Sequence, residues 1–352
     1  MFLGALLYGG ERAHATEAPA APDARAGEAG AAHVALLLPT GSDAFARAAE
    51  SVRAGFLDAW KRERRTLPVR LYPVTGDPQQ LIASYRQALA AGARLVVGPL
   101  TRDGVNTLAA APQLITVPTL ALNVPERAGA KSSRFFMLSL QVEAEARQVA
   151  QLALSEGRRK AFTVSEPTAF ARRMREAFVQ AFERGGGNHI ADYAYSTDSV
   201  ALDRMRQAAA LGVADMVFYA VDAQRLRAVR GFMSSITAYG TSQLNPGQSA
   251  RGAGADLPDV RFVDMPWMVQ PDHPAVMVYA RSARESDDLE RLYALGIDAS
   301  RIADSLLAGT RNIDIDGVTG RLSLGADGHF RRGLLVTLID GGKLTVIGES
   351  SP

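Results

Sequence analysis

The chain has 352 residues, 47% of them hydrophobic and 22% charged, which excludes a disordered protein and allows two domain-sized cores. The formal net charge is only +2 and the basic residues are scattered, so we expect no nucleic-acid partner. The sequence contains no cysteine, which excludes thiol catalysis, disulfide bonds, thiolate zinc sites and a lipidated cysteine. No apolar run reaches the ~18 residues that a membrane span needs, so we expect no transmembrane segment.

The first residues have the pattern of a secretory signal. "MFLGALLYGG" is a short apolar segment, "AHA" at 13–15 fits the motif that signal peptidase recognises, and an Ala/Pro/Gly-rich stretch follows over 16–32. No Lys or Arg precedes the apolar segment, so the basic region that usually opens such a signal is missing. We predict that residues 1–32 are a signal peptide and flexible tether; a poorly ordered tail without a targeting role is the alternative.

From His33 onward, short apolar runs alternate with amphipathic, helix-like stretches. The first four runs are "VALLLP" (34–39), "VRLYPV" (69–74), "RLVVGPL" (94–100) and "LITVPTLAL" (114–122). This alternation predicts βαβ units, and the nearly continuous apolar runs predict a parallel sheet buried on both faces. We expect the first helix to bury a face that includes Phe45, Val52 and Trp60.

After "RFFMLSL" (134–140) and a helix over 143–155, the alternation begins afresh. Its strands are "KAFTVS" (160–165), "IADYAYS" (190–196) and "DMVFYAV" (215–221), and the helix after the first of these carries Phe170, Met174 and Phe178 on one face. A second α/β sheet is therefore predicted.

Further elements follow the second unit. "TAYGTSQL" (237–244) and "VRFVDMPWMV" (260–269) flank a Gly/Ala-rich loop, and the longest helical pattern, around Leu292–Leu306, follows. "GVTGRLSLG" (317–325) precedes "LLVTLIDGGKLTVI" (334–347), in which the turn Asp340-Gly341-Gly342 predicts a β-hairpin. A hairpin this late predicts that the chain returns to an earlier lobe.

The motifs of enzymes and cofactor sites are each incomplete. No G-x-S-x-G nucleophile motif occurs. "GAGADL" (252–257) has Leu257 where a dinucleotide-binding loop needs Gly or Ala, and "GGKLT" has Leu344 where a phosphate-binding loop needs Ser or Thr. The sequence therefore predicts no enzyme and no cofactor.

Two patterns bear on a metal site. "NIDIDG" (312–317) resembles the first half of a calcium loop, but the twelfth position is Ser323, which cannot close the cage with two oxygens, so we expect a turn that enters a strand. The histidines lie far apart in the sequence, at His14, His33, His189, His273 and His329. No metal site is predicted, and one assembled from distant residues stays open.

Small polar residues recur at the predicted carboxyl ends of the strands, where ligands of open α/β sheets bind. These candidate cleft residues are Thr40, Gly41, Ser42, Pro99, Leu100, Thr101, Asn123, Ser165, Glu166 and Asp222, and Trp267 of "DMPW" is added to them. Ser42, Thr101 and Thr168 have a second interpretation as helix N-caps. Gly98-Pro99 is either a helix-entry turn or a backbone that a partner approaches closely.

Several long stretches resemble one family of the type I periplasmic binding protein fold. They are "HVALLLPTGSDAFARAAESVRAGFLDAW", "LVVGPLTRDGVNTLA", "RFVDMPWMV", "ERLYALGIDASRIADSLL" and "GVTGRLSLGADGHFRRGLLVTLIDGGKL", which span about 33–347. The chain is similar there to the C-terminal domain of the penicillin-binding protein activator lipoproteins of Gram-negative bacteria (LpoA-like).

The resemblance implies two doubly wound parallel-sheet lobes joined by a hinge of three crossovers. Lobe 1 would comprise 33–139 plus 266–316, and lobe 2 would comprise 140–265 plus 317–352. It also implies a periplasmic protein that contacts a bifunctional penicillin-binding protein, regulates peptidoglycan synthesis and catalyses no reaction.

Two functions are weighed. One is an interaction protein that regulates a cell-wall synthase; the other is a solute-binding protein whose cleft closes on a small polar ligand, an amino acid or a peptidoglycan fragment. An amino acid needs groups for both its charges, and although Asp222 and Glu166 could bind an ammonium, Arg102 is the only basic residue at a predicted strand end of the first lobe. We therefore favour the interaction protein, and an enzyme built from distant residues is the third possibility.

Overall fold

The computed structural model describes residues 30–126, 132–247, 257, 259–281 and 286–350. The predicted signal peptide and tether, 1–32, lie almost wholly outside these residues, as does most of "GAGADL". Within the described part of the chain, each helix is too short or too polar to cross a membrane.

Five parallel strands form the sheet of the first lobe, in the order β2-β1-β3-β4-β5. They are β1 His33–Leu38, β2 Val69–Pro73, β3 Ala93–Val97, β4 Thr119–Ala121 and β5 Phe135–Met137. The helices between them are α1 Ala46–Arg62, α2 Pro78–Ala90 and α3 Arg102–Ala109.

Alternate residues of β1 pack on opposite faces of this sheet. Leu36 belongs to a core that contains Val52 and Phe56 of α1, whereas Leu37 belongs to a core that contains Tyr85 of α2 and Leu108 of α3. The predicted parallel sheet with helices on both faces is thereby confirmed.

The second lobe contains a seven-stranded sheet in the order β15-β14-β10-β9-β8-β6-β7. Its strands are β6 Lys160–Ser165, β7 Asn188–Ala194, β8 Met216–Ala220, β9 Thr237–Gly240, β10 Val260–Asp264, β14 Leu335–Asp340 and β15 Lys343–Glu349. The helices are α4 Val142–Ser155, α5 Ala169–Arg184, α6 Ser199–Ala210 and α7 Ala223–Arg230.

The predicted hairpin closes this second sheet. Strands β14 and β15 pair antiparallel across Gly341 and Gly342, whose φ angles of 53° and 79° suit glycine in such a turn. Strand β14 pairs antiparallel with β10, so the chain does return to a sheet that it built earlier.

Two helices and a small sheet join the lobes. They are α8 Pro266–Val269, α9 Asp287–Leu307, and the antiparallel strands β11 Asp314–Gly317, β12 Gly320–Leu324 and β13 Phe330–Gly333. "VRFVDMPWMV" is therefore not one strand: it becomes helix α8 at Pro266, because proline suits the first helical turn and cannot donate to a strand. "NIDIDG" enters β11, and the predicted lobe boundary at 316/317 falls inside the β11–β12 hairpin.

Helix α9 lies against α1 with almost no space between the two backbones. A Cβ added to Gly55 would lie 2.0 Å from the carbonyl oxygen of Tyr293, and one added to Gly296 would lie 2.1 Å from that of Val52. On either side of Gly296, Leu295 belongs to the core of the first lobe and Ile297 to the core of the second. The paired helices are thus part of both cores.

Candidate functional site

A cleft of about 490 Å³ separates the carboxyl ends of the first-lobe strands from helices α4 and α5 of the second lobe. Its walls are mainly apolar. The lining residues used below are Pro39, Phe45, Leu100, Thr101, Arg102, Asn123, Gln141, Glu143, Phe170, Arg173 and Leu292. A cleft at this edge is where the sequence predicted one.

Three predicted residues, Leu100, Thr101 and Asn123, line the cleft. Thr101 also caps α3, because its Oγ1 accepts a hydrogen bond from the Gly104 amide at 3.2 Å. The Asn123 amide nitrogen donates to the Leu100 carbonyl at 3.1 Å and so fastens the turn after β4 to the turn after β3. The side chains of Thr101 and Asn123 are thus held at the cleft by hydrogen bonds that also stabilise the local backbone.

Gly98-Pro99 shapes the sheet behind the cleft. Gly98 has a φ of 112°, and an added Cβ would lie 2.1 Å from the carbonyl oxygen of Leu37. The backbone that approaches Gly98 closely is therefore that of β1 and not that of a partner. Pro99 is buried, and its carbonyl accepts from the Leu122 amide at 2.9 Å.

The turn after β1 contributes Pro39 to the cleft, whereas Thr40, Gly41 and Ser42 are not among the lining residues. Gly41 packs against Val74 and Thr75 of the next turn. The first helix begins after Phe45, which replaces the predicted Ser42 as the N-cap residue. Thr168, by contrast, does cap α5, since its Oγ1 accepts from the Ala171 amide at 3.1 Å.

The second-lobe residues Glu166 and Asp222 form a cluster around Arg225. Asp222 caps α7, accepting from the Arg225 amide at 2.7 Å, and its carboxylate pairs with the Arg225 guanidinium. Glu166 lies 3.4 Å from the same guanidinium. Asp222 and then Glu166 raise the pKa of Arg225. Both carboxylates thus already have a cation, and neither they nor Ser165 is among the residues that line the cleft.

Trp267 lies in the core where the lobes join. It is 1% exposed, its indole nitrogen donates to a Glu290 oxygen at 2.8 Å, and its ring lies 5.5 Å from that of Tyr293. A partner cannot reach this side chain in the described conformation, so its position supports a role in packing.

Two exposed aromatic side chains line opposite walls of the cleft. Phe45 of the first lobe is 46% exposed and Phe170 of α5 is 42% exposed. The sequence placed each on one apolar face of a helix, yet both are exposed, and each lies at the start of its helix. An apolar residue in the first turn after a strand's carboxyl end is the signal that could have found them.

Three of the four charged side chains that line the cleft form one cluster, and the fourth, Asp103, is in no ion pair with a described residue. Arg173 of α5 donates to a Glu143 oxygen at 2.8 Å, and Arg102 of α3 lies 3.8 Å from the same oxygen. Arg102 comes from the first lobe and the other two from the second, so this cluster bridges the cleft. The sequence singled out Arg102 but missed both partners, since nothing in the order of residues places 102 beside 143.

Buried carboxylates fasten the connections between the lobes. Glu145 accepts from the Ser242 amide at 3.1 Å and lies 3.3 Å from Arg332 of β13. Burial raises the pKa of Glu145, and Arg332 opposes that rise. Asp298 of α9 accepts from the Val318 amide at 3.0 Å, and its other oxygen accepts from the Thr319 amide at 2.7 Å.

The second connection has a similar arrangement. Asp264, at the end of β10, lies 2.9 Å from Arg291 of α9 and accepts from the Asn245 amide nitrogen at 2.7 Å. Glu145, Asp264 and Asp298 are thus three buried carboxylates with their donors in place. Such networks fix the geometry of the groups around them.

No group of three or more His, Asp or Glu side chains in the described ranges is arranged to hold a metal ion. Pairs do occur, such as His273 and Asp316 at 3.5 Å.

Comparisons with known proteins agree on the fold. The chain is 25% identical over 307 residues to "Penicillin-binding protein activator LpoA" of Glaesserella parasuis, which covers 85% of this chain and 52% of that protein. The LpoA (YraM) C-domain of Haemophilus influenzae, described as a regulator of PBP1A, is 21% identical and superposes with a TM-score of 0.74, covering 90% of this chain and 99% of that one.

A third protein is similar over its whole length. It is described as a "putative branched-chain amino acid ABC transporter" of Chromobacterium violaceum, with 36% identity and a TM-score of 0.74 over 88% of this chain and 100% of that one. The chain spans about half the length of the curated LpoA relatives that it matches. Residues 28–209 and 200–336 match the family described as "LppC putative lipoprotein". The chain belongs to the LppC family.

Proposed function

We propose that this chain is a non-catalytic periplasmic protein that activates a bifunctional penicillin-binding protein by direct contact and thereby regulates peptidoglycan synthesis. The relatives named LpoA, and the description of one C-domain as a regulator of PBP1A, support this function. A location in the cell envelope is consistent with a family of lipoproteins.

The composition of the cleft is the observation that carries the proposal. Phe45 and Phe170 present apolar surface to solvent, while Arg102 and Arg173 face a carboxylate of the chain itself. Exposed aromatic residues are typical anchors of protein interfaces, and because both arginines of the described lining face Glu143, little is left to hold the carboxylate of a free zwitterion. We propose that the rim around Phe45 and Phe170 contacts the synthase.

The alternative is a solute-binding protein. The description of the Chromobacterium violaceum protein favours it, with a branched-chain amino acid as the ligand. Such a protein closes its lobes around the solute, whereas here Glu145, Asp264 and Asp298 hold the connections between the lobes with buried hydrogen bonds. This arrangement supports a fixed surface more than a closing one.

The test measures polymerisation and cross-linking by a bifunctional penicillin-binding protein from the same organism, with and without the purified chain. We expect a higher rate with the chain, and Phe45→Ser with Phe170→Ser should reduce binding to the synthase at least tenfold, as expected for central aromatic anchors. Leu211→Ser is the matched control, because Leu211 is 73% exposed on another surface.

Three results would contradict the proposal. One is a synthase whose rate does not respond to the chain, and another is an equal loss of binding in Leu211→Ser. The third is micromolar binding of leucine in a calorimeter, which would support the solute-binding protein instead.

A further inference from the structure

A second cavity, of about 380 Å³, lies between α4 and the loop before β13. We call it the basic cavity and define it by Gln141, Arg147, Gln151, His329, Arg331 and Arg332, which line it. Gln141 also lines the cleft, so the two cavities are neighbours at the start of α4. The proposed function makes no use of this cavity.

The basic cavity holds more positive charge than its own carboxylates neutralise. The side chains of Arg147 and Arg331 form no hydrogen bond or ion pair with any other residue that the structure describes. The one acidic residue in the lining is Asp327, and one of its oxygens accepts from the His329 amide at 3.2 Å. Arg147 and Arg331 are thus near Glu143 and Asp327, respectively, but neither forms an ion pair with a carboxylate of the described residues.

The third arginine is fixed in the wall. Arg332 is buried, lies 3.3 Å from Glu145 and donates to the Thr319 carbonyl at 3.0 Å. These partners hold its position and neutralise its charge. Arg147 and Arg331 therefore lie beside a rigid wall, so a ligand would have to order fewer side chains on binding.

The electrostatics of Arg147 agree with this geometry. Removal from water lowers the pKa of its guanidinium, and Glu143 only partly opposes that shift.

The rest of the lining narrows the class of ligand. Val124, Met137 and Phe330 are apolar, and the side-chain amides of Gln141 and Gln151 can bond to peptide groups. A guanidinium matches the two oxygens of a carboxylate through parallel hydrogen bonds. We propose that the basic cavity binds a carboxylate carried on a short peptide, with Arg147 and Arg331 as its cations.

The test uses calorimetry on the whole chain at low salt, with N-acetyl-L-glutamate as the peptide-like probe and inorganic phosphate as the second anion. We expect the wild-type chain to bind N-acetyl-L-glutamate about tenfold more tightly than phosphate, and Arg147→Gln or Arg331→Gln to weaken that binding about tenfold. Arg204→Gln removes the same charge from an exposed site on α6 and should change binding less than twofold.

The proposal is overturned by an absence of binding to the wild-type chain at millimolar probe, by equal affinity for phosphate, or by an equal loss in Arg204→Gln. Both cavity arginines are exposed and form no ion pair with a described residue, so their variants should fold, which a melting curve checks. The synthase assay plays no part here, so this proposal and the proposed function can fail separately.

Discussion

The cleft and the basic cavity share Gln141, and α4 contributes to both, yet they differ in how their charges are paired. In the cleft, Arg102 and Arg173 both face Glu143, so exposed aromatic surface is the main feature that the cleft presents to a partner. In the basic cavity, Arg147 lies one turn farther along α4 and forms no ion pair with a described residue, although Glu143 acts on it electrostatically. Glu143 thus neutralises the arginines of the cleft, which suits that surface to apolar contact. The basic cavity keeps its positive charge, which suits it to an anion.

Both cavities rest on the same buried frame, formed by the two sheets, the α1–α9 pair and the three fastened connections. If this division is correct, substitutions in the frame lower the free energy of unfolding strongly. Substitutions in the cavity walls should change binding and leave that free energy almost unchanged.

The largest effect is expected at Asp298, which is fully buried. Asp298→Ala leaves the Val318 amide, the Thr319 amide and the Thr319 hydroxyl without an acceptor, so the free energy of unfolding should fall by about 3–5 kcal/mol. Chemical denaturation measures it. Asp288→Ala, at an exposed position on the same helix, should cost less than about 0.5 kcal/mol, and similar losses in the two variants would refute the role of Asp298.

The next effect is a pH dependence. Burial raises the pKa of Tyr219 to about 12 from an ordinary value of 10.0, so above pH 10 the unfolded chain loses this proton more readily than the folded one. The stability that depends on the protonated Tyr219 is therefore full below pH 10 and lost as pH rises through about 12, a change of about 2–3 kcal/mol.

Denaturation at pH 9, 10, 11 and 12 (roughly the window set by the two pKa values) measures this loss, with Tyr219→Phe as the comparison. The variant should lose less stability across that range than the wild-type chain. Parallel curves for the two proteins would show that Tyr219 does not contribute the expected dependence.

Gly296→Ala tests the contact between α1 and α9. The new Cβ would meet the Val52 carbonyl, so the helices must separate at a cost of about 1–3 kcal/mol in the free energy of unfolding. Thermal unfolding measures it, and Gly231→Ala is the control because nothing lies within 4 Å of the added atom. An unchanged melting temperature for Gly296→Ala would mean that the helices tolerate wider spacing.

The smallest effect is expected in the cleft wall. Arg173→Gln removes a pair whose arginine is 44% exposed, so the free energy of unfolding should fall by only about 0.2–1 kcal/mol. A double-mutant cycle with Glu143→Gln isolates the pairwise part. A coupling free energy as large as the loss expected for Asp298→Ala would show that this cluster stabilises the fold as the buried frame does.

Much of this fold could be predicted from local patterns. The apolar runs of β1, β3, β6 and β8 and the glycine turn at 341–342 are each complete within a few residues, so their periodicity and turn chemistry indicate the elements. Of the candidate site, Leu100, Thr101 and Asn123 followed from the rule that ligands bind at strand ends. Ser165, Glu166 and Asp222 obeyed the same rule and still lie outside the cleft lining, and for Glu166 and Asp222 the arrangement depends on their ion pairs with Arg225.

The sequence alone determined the two α/β units, the late hairpin and the edge of the sheet where the cleft opens, because each follows from periodicity along neighbouring residues. Only the tertiary structure decided that Phe45 and Phe170 face solvent and that Trp267 lies in the core. It also decided that Arg173 forms an ion pair with Glu143, whereas Arg147 forms none with a described residue. Charge pairing and burial depend on distances between residues far apart in the chain, and one-dimensional patterns do not contain those distances.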